Sequence, residues 1–256
     1  MTFNEFNLKD LLQKAIDEAG FKEPSPIQEQ AIPFVLAGRD IVGQAHTGTG
    51  KTAAFGLPIL NNMKGNSGVE AVVIVPTREL AMQVSDELYR FGRFLGINTA
   101  TVYGGQAYAR QIKLIENASI IIATPGRFLD LLRGGKIDIK PEYVILDEAD
   151  EMLDMGFLDD IKEIFTFLPK ERQTLLFSAT MPLAIKNLAK TILNDPEFIT
   201  LTKSDVTNSK ITQTFYVVDE RERDDALIRL YDYKNPTKSI IFCRTKKEGV
   251  RLSTSM

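Results

Sequence analysis

Seven short runs of branched aliphatic residues recur along the chain: DIVGQA (40–45), EAVVIVP (70–76), TATVYGG (99–105), SIIIATP (119–125), YVILD (143–147), TLLFSAT (174–180) and FITLT (198–202). Near-continuous apolar runs of this length suit strands buried on both faces. The stretches between them carry helical spacing, among them TAAFGLPILNNM, TRELAMQVSDELYRFGRFLG and PLAIKNLAKTIL. Strands alternating with helices predict an α/β fold, a parallel sheet with helices on both faces. Such sheets bind ligands outside the carboxyl ends of their strands, so the loops that close the runs are where chemistry is expected.

The pattern changes after Thr202, where KSDVTNSK is polar and aperiodic. Residues 1–203 are expected to form the first domain, 204–210 a linker, and 211–256 the start of a second α/β domain. In that last part ITQTFYVVD, ERDDALIRLYDY and KSIIFCR read as strand, helix and strand. So few residues cannot close an α/β core of their own, so this domain is expected to be incomplete.

Composition narrows the function. Apolar residues make up 44% and charged residues 25%, which excludes wholesale disorder. The formal net charge of −3 excludes holding nucleic acid by bulk charge, leaving local patches or backbone donors. Cys243 is the single cysteine, which excludes an internal disulfide and a zinc cluster. No run approaches the length of a membrane helix, and MTFNEFNLKD lacks a basic, then apolar, leader. A cytoplasmic location is expected.

Two stretches carry most of the candidate chemistry. AHTGTGKT (45–52) follows one run and opens a helix, as a phosphate-binding loop does. Thr47, Gly48, Thr49 and Gly50 would wrap backbone N–H groups around phosphate oxygens, Lys51 would reach the β- and γ-phosphates, and Thr52 would offer its hydroxyl to Mg²⁺. Ala45 stands where the general pattern has glycine. In YVILDEADEML (143–153), Asp147, Glu148 and Asp150 crowd three mutually repelling carboxylates at a strand end. A Mg²⁺ carried by a nucleoside triphosphate would neutralise Asp147, and Glu148 would orient or deprotonate an attacking water.

In combination and order these motifs resemble the DEAD-box family of ATP-dependent RNA helicases, whose name residues 147–150 spell. The resemblance implies a RecA-like fold that binds ATP and Mg²⁺ and works on RNA. It makes GFKEPSPIQ (20–28) an adenine-reading element, with Gln28 reading the base edge, Phe21 packing near it and Phe3 as the isolated upstream aromatic. It makes SAT (178–180) a coupling motif in which Ser178 and Thr180 bond Asp150. It assigns RNA contacts to Pro76, Thr77 and Arg78, to Gly104 and Gly105, and to Thr124, Pro125, Gly126 and Arg127. Threonine hydroxyls, arginines and bare glycines suit a sugar-phosphate chain, so binding is expected to be independent of sequence.

IIFCRT (240–245) matches the family's fourth motif, but no arginine-rich HRxGRxxR motif follows. The family's second domain supplies arginines there, and such an arginine is worth about 10³ to 10⁵ in rate. The expectation is a chain that binds nucleotide yet turns it over poorly. Two alternatives stay open, a nucleotide-dependent RNA-binding module without turnover and a DNA-acting ATPase of similar architecture. His46 is expected to face solvent, Cys243 to lie in a core, and Met152 and Met155 to serve helix packing.

Overall fold

The computed structural model describes residues 1–65, 68–201, 212 and 214–255. The chain divides into two compact units, Met1–Thr207 and Asn208–Met256. The expected linker at 204–210 lies outside the described residues.

In the first unit the apolar runs form β1 (Ile41–Gln44), β2 (Ala71–Ile74), β3 (Thr99–Val102), β4 (Ile120–Ala123), β5 (Tyr143–Leu146), β6 (Gln173–Ser178) and β7 (Glu197–Thr200). They make one seven-stranded sheet in the order β3-β4-β2-β5-β6-β1-β7. Every pairing is parallel. The helices are α1 (Asp10–Glu18), α2 (Pro26–Leu36), α3 (Lys51–Asn62), α4 (Arg78–Gly92), α5 (Tyr108–Ile115), α6 (Pro125–Arg133), α7 (Ala149–Asp154), α8 (Leu158–Phe167) and α9 (Leu183–Ile192).

Strand side chains alternate between two cores, because successive Cβ atoms point to opposite faces. Val73, Ile145 and Phe177 join Ile16, Ile32, Phe55 and Leu88 under α1 to α4. Val72, Leu146 and Leu176 join Phe128, Met152, Ile164 and Leu188 under α6 to α9. Burial on both faces holds for β2, β4, β5 and β6 and fails at the two outer strands, where half or more of the side chains are not fully buried. An outer strand has a neighbour on one side only, which leaves its side chains less covered. Phe198 on β7 is 67% exposed.

The second unit differs from its expected outline. Helices α10 (Arg223–Lys234) and α11 (Lys246–Ser255) are present, but the described residues of the two expected strands, 212, 214–219 and 238–244, form no ladder. A strand needs a partner for its backbone groups and a layer for its apolar face. Here Phe215, Val217, Ile240 and Phe242 are mostly exposed. Cys243 is likewise exposed rather than in a core, for the same reason.

Candidate nucleotide and nucleic-acid sites

Strand order divides the carboxyl rim of the sheet into two halves. Neighbours β5, β6 and β1 carry the acidic stretch, the SAT loop and the phosphate-type loop, while β3, β4 and β2 carry the glycine pair, TPGR and PTREL.

The loop after β1 begins without strain. Ala45 donates its N–H to the Ser178 carbonyl at 3.0 Å, prolonging the β1–β6 ladder. It is not among the residues with positive φ, so glycine is not required there. Gly48 and Gly50 are at φ 82° and 87°, the left-handed region where glycine costs least. A Cβ on Gly50 would stand 2.4 Å from Gln28 Nε2. That closeness reflects bracing from outside the loop. Gln28 Nε2 donates to the Gly50 carbonyl at 3.0 Å and Ser25 Oγ to the Thr49 carbonyl at 2.7 Å. Ser25 N–H in turn donates to Gln28 Oε1 at 2.9 Å, within the capping box that starts α2. The structure thus sets Gln28 against the phosphate-type loop. Phe3 is buried in the core, edge-on to Phe6 and Phe21 at 6.0 Å each, while Phe21 is half-buried and packs on Phe91 at 5.7 Å. His46 is exposed, as its free position in the loop suggests.

Opposite the loop, β5 ends at a sharp turn. Asp147 N–H donates to the Ile74 carbonyl of β2 at 3.0 Å. Glu148 is left-handed, φ 58° and ψ 52°, and its N–H donates to Asp147 Oδ1 at 3.0 Å. That backbone costs a non-glycine residue about 1 to 2 kcal/mol. Strain of this kind collects at functional positions. Both carboxylates face Lys51, whose Nζ lies 3.4 Å from Asp147 Oδ1 and 3.7 Å from Glu148 Oε1. Thr47 Oγ1 holds Glu148 from the other side, donating to Oε1 at 2.9 Å.

Lys51 is 5% exposed and its Nζ makes no hydrogen bond, although a buried ammonium requires them. Asp147 is 2% exposed. Burial pushes its carboxyl above the usual aspartate range, the Lys51 charge opposes this, and the Glu148 carboxylate adds to it. Lys51, Thr52, Asp147 and Glu148 line a cleft of about 350 Å³, joined by Glu87 from α4. Among the described residues no cluster of three or more His, Cys, Asp or Glu side chains could hold a metal by itself. A cation here needs oxygen ligands that arrive with it. A magnesium triphosphate fits: phosphate would satisfy the orphaned ammonium, and the glycine cradle would take its oxygens.

Asp150 turns away toward the end of β6. Thr180 gives its Oδ2 both an N–H and an Oγ1–H bond at 2.8 Å, and the Asp150 N–H donates to Ser178 Oγ at 3.1 Å. Partial burial would raise this carboxyl, but the bonds from Thr180, Ser178 and Ala179 outweigh it and hold it below the usual range. The acidic stretch and the SAT loop are therefore latched together.

On the other half of the rim, Pro76 is buried, and Thr77 caps α4 by accepting the Leu80 N–H at 3.2 Å. Arg78 is exposed and lies over the Tyr103 ring at 4.8 Å. Gly104 and Gly105 are exposed, Gly105 at φ 86°. Thr124 and Pro125 begin α6, with Gly126 in its first turn. Arg127 points inward: it donates to the Gln106 carbonyl at 2.7 Å and to Gln111 Oε1 at 3.0 Å, and stacks on Tyr108 at 4.2 Å. Its Nη1 fixes the glycine loop to α6 through two neutral acceptors.

Sequence reasoning missed Ser25, Glu87 and Gln111. Ser25 was open to detection as the cap of α2, and Glu87 as a carboxylate three and seven residues beyond Val84 and Leu80 on one stripe of α4. Gln111, fully buried and bonded to the Tyr103 carbonyl at 2.8 Å, had no local signal.

Among the described residues no helix is long and apolar enough to cross a membrane. The family model for DEAD/DEAH box helicase matches residues 25–188. A Helicobacter pylori protein named DEAD-box ATP-dependent RNA helicase RhpA is 56% identical over 98% of this chain and 51% of its own length. A Bacillus subtilis relative, DEAD-box ATP-dependent RNA helicase CshA, is 46% identical over 100% of this chain and 52% of its own. The chain spans about half the length of these curated relatives. Among solved structures, a DEAD box protein from the hyperthermophile Methanococcus jannaschii aligns with TM-score 0.78 and 43% identity, over 100% of this chain and 69% of that one. A hypothetical ATP-dependent RNA helicase from Sulfolobus tokodaii aligns with TM-score 0.73 and 38% identity, over 97% and 72%. With more than half of its residues inside the family model, and with these relatives, the chain belongs to the DEAD/DEAH box helicase family.

Proposed function

We propose that this protein binds ATP with Mg²⁺ in the Lys51–Asp147–Glu148 cleft and, as part of an RNA helicase, couples hydrolysis to RNA held along the neighbouring half of the rim. The observation that carries this reading is the buried Lys51 ammonium, which has no hydrogen bond and stands between the two carboxylates at 3.4 and 3.7 Å. Its charge would meet the β- and γ-phosphates, and the N–H groups of Gly48 to Thr52 would cradle them. Thr52 and Asp147 would hold the Mg²⁺, which when bound offsets charge developing on the phosphate oxygens. Glu148, steadied by Thr47, would orient water and take its proton. Gln28 and Phe21 would meet the adenine, with Phe3 buttressing Phe21 from the core.

Thr77, Arg78, Gly105, Thr124 and Gly126 would grip a sugar-phosphate chain and read no bases. The Asp150–Thr180 latch would report the nucleotide state to the β6 loop. Among the described residues no arginine lines the cleft, so turnover by this chain alone is proposed to be slow. The same absence favours a second reading, in which this part acts as a nucleotide-gated RNA grip. A cytoplasmic site of action suits the lone cysteine.

The test is ATP turnover with RNA, with single-stranded DNA and with neither, for wild type and Glu148→Gln. The expected outcome is stimulation by RNA above DNA, and a Gln variant slower by about 10² to 10⁴ that still binds both ligands. Equal turnover in the two proteins would sink the catalytic reading, and equal stimulation by DNA would move the protein to the DNA-acting alternative.

A further inference from the structure

The glycine loop and the TPGR turn leave neighbouring strands. The Thr124 N–H, just past β4, donates to the Val102 carbonyl at the end of β3 at 2.9 Å. Beyond that bond the glycine loop is held at both ends from inside the protein. Its first carbonyl, on Tyr103, accepts Gln111 Nε2 at 2.8 Å, and its Gln106 carbonyl accepts Arg127 Nη1 at 2.7 Å. Gln111 Oε1 closes the circuit by accepting the same arginine nitrogen at 3.0 Å. Between the anchors stand Gly104 and Gly105, both exposed. The positive φ of Gly105 calls for glycine, but Gly104 has no positive φ, and a Cβ on it would meet nothing within 4 Å. A bare backbone that the protein itself does not require leaves room for the close approach of a ligand.

Gln111 is 0% exposed and shares the buried stripe of α5 with Ile115, where an apolar residue is the ordinary choice. Its two partners ask for opposite chemistry, because a carbonyl can only accept and a guanidinium can only donate. Glutamate would serve the arginine and repel the carbonyl, lysine would do the reverse, and methionine would serve neither. A side chain of this length meets both demands only as an amide. Packing alone therefore does not account for Gln111, whereas holding the loop does.

We propose that Gln111 is a positioning residue for RNA binding: it touches no RNA itself, and its amide sets the glycine loop against the TPGR turn so that both meet the sugar-phosphate chain together. The inference rests on the RNA reading above and adds to it a support from inside the protein. Loosening the loop would lower the fraction of molecules ready to bind, and apparent affinity falls by that fraction.

Anisotropy of a fluorescently labelled single-stranded RNA, without nucleotide, tests it in Gln111→Met, Arg127→Met and the two combined. Each single variant should bind about fivefold more weakly, the worth of one hydrogen bond. The combination should stay within about twofold of the weaker single, because both changes break one link, whereas independent losses would multiply to about 25-fold. Binding of a fluorescent ATP analogue should be unchanged in all three, and melting curves check that they are folded. If Gln111→Met alone does not fold, the combination, which leaves no guanidinium facing an apolar side chain, carries the same prediction against Arg127→Met. A multiplied loss in the combination, a Gln111→Met protein that binds RNA as wild type does, or an equal loss of the ATP analogue would overturn the proposal. A wild-type protein that binds no RNA would instead fail the RNA reading itself, and this inference with it.

Discussion

The two halves of the rim handle charge in opposite ways. On the β5-β6-β1 side the charges are sunk: Lys51 and Asp147 are almost wholly buried, and the glutamate between them and the helix sits in a strained left-handed backbone. On the β3-β4-β2 side Arg78, Gly104 and Gly105 lie in the open, and the one inward arginine is spent on tying loops together. Charges in a dry cleft act strongly over short distances and are little affected by salt, whereas exposed ones are screened within about 10 Å at 0.1 M salt. The first arrangement suits one small, highly charged ligand held in fixed geometry. The second suits a long polyanion that must be gripped and released.

Lys51→Ala is the strongest way to break that contrast. Removing the ammonium should weaken ATP binding by about 10- to 100-fold, the worth of a hydrogen bond to a charged group. RNA affinity without nucleotide should stay as it was, by fluorescence anisotropy on a labelled strand. A parallel loss of RNA binding would mean that the two halves are not separate sites. The two rim arginines sharpen the picture at smaller amplitude. Arg78→Ala should lower the slope of log affinity against log salt by about one, as expected for a phosphate contact. Arg127→Ala should weaken RNA binding by several-fold, on the order of one lost hydrogen bond, at an unchanged slope, because its Nη1 is held by the neutral acceptors of Gln106 and Gln111 and serves the loop in place of a phosphate. Identical slopes for the two variants would erase the distinction.

The smallest effect concerns acid stability. Asp150 titrates lower folded than unfolded, so its contribution is complete above the ordinary aspartate range and is lost as pH falls through the depressed value. Asp147 has the reverse sign: its raised value makes the buried charge a cost at neutral pH that acid relieves. Asp150→Asn should therefore be less stable at pH 7 by under about 1 kcal/mol, given its partial exposure to solvent. The gap should close as pH is lowered through the range where Asp150 titrates in the folded protein. Urea midpoints across pH would show a constant gap if the latch were unimportant.

Much of this arrangement was legible in the chain. Aliphatic runs such as AVVI and YVIL announced strands because burial on both faces leaves no polar alternation, and every motif but GFKEPSPIQ and the incomplete unit's IIFCRT lay just past such a run. Other features depend on contacts distant in sequence and so left no local trace. Arg127 turned inward because Gln106 and Gln111 come from a different strand–helix connection. Glu148 adopts a conformation that its residue type disfavours, which no propensity would predict. The apolar runs around Val217 and Phe242 show the converse, since their composition is that of strands and nothing among the described residues pairs with them.

One backbone bond has a consequence for communication across the molecule. The amide of Asp147 hangs on the Ile74 carbonyl, two residues before the Pro76–Thr77 turn. A ligand tugging on that turn thus pulls on the aspartate proposed to hold Mg²⁺ through a handful of covalent links and a single hydrogen bond. Crosstalk between the proposed polymer and triphosphate sites needs no long relay of side chains, because the sheet makes the two strand ends next-door neighbours.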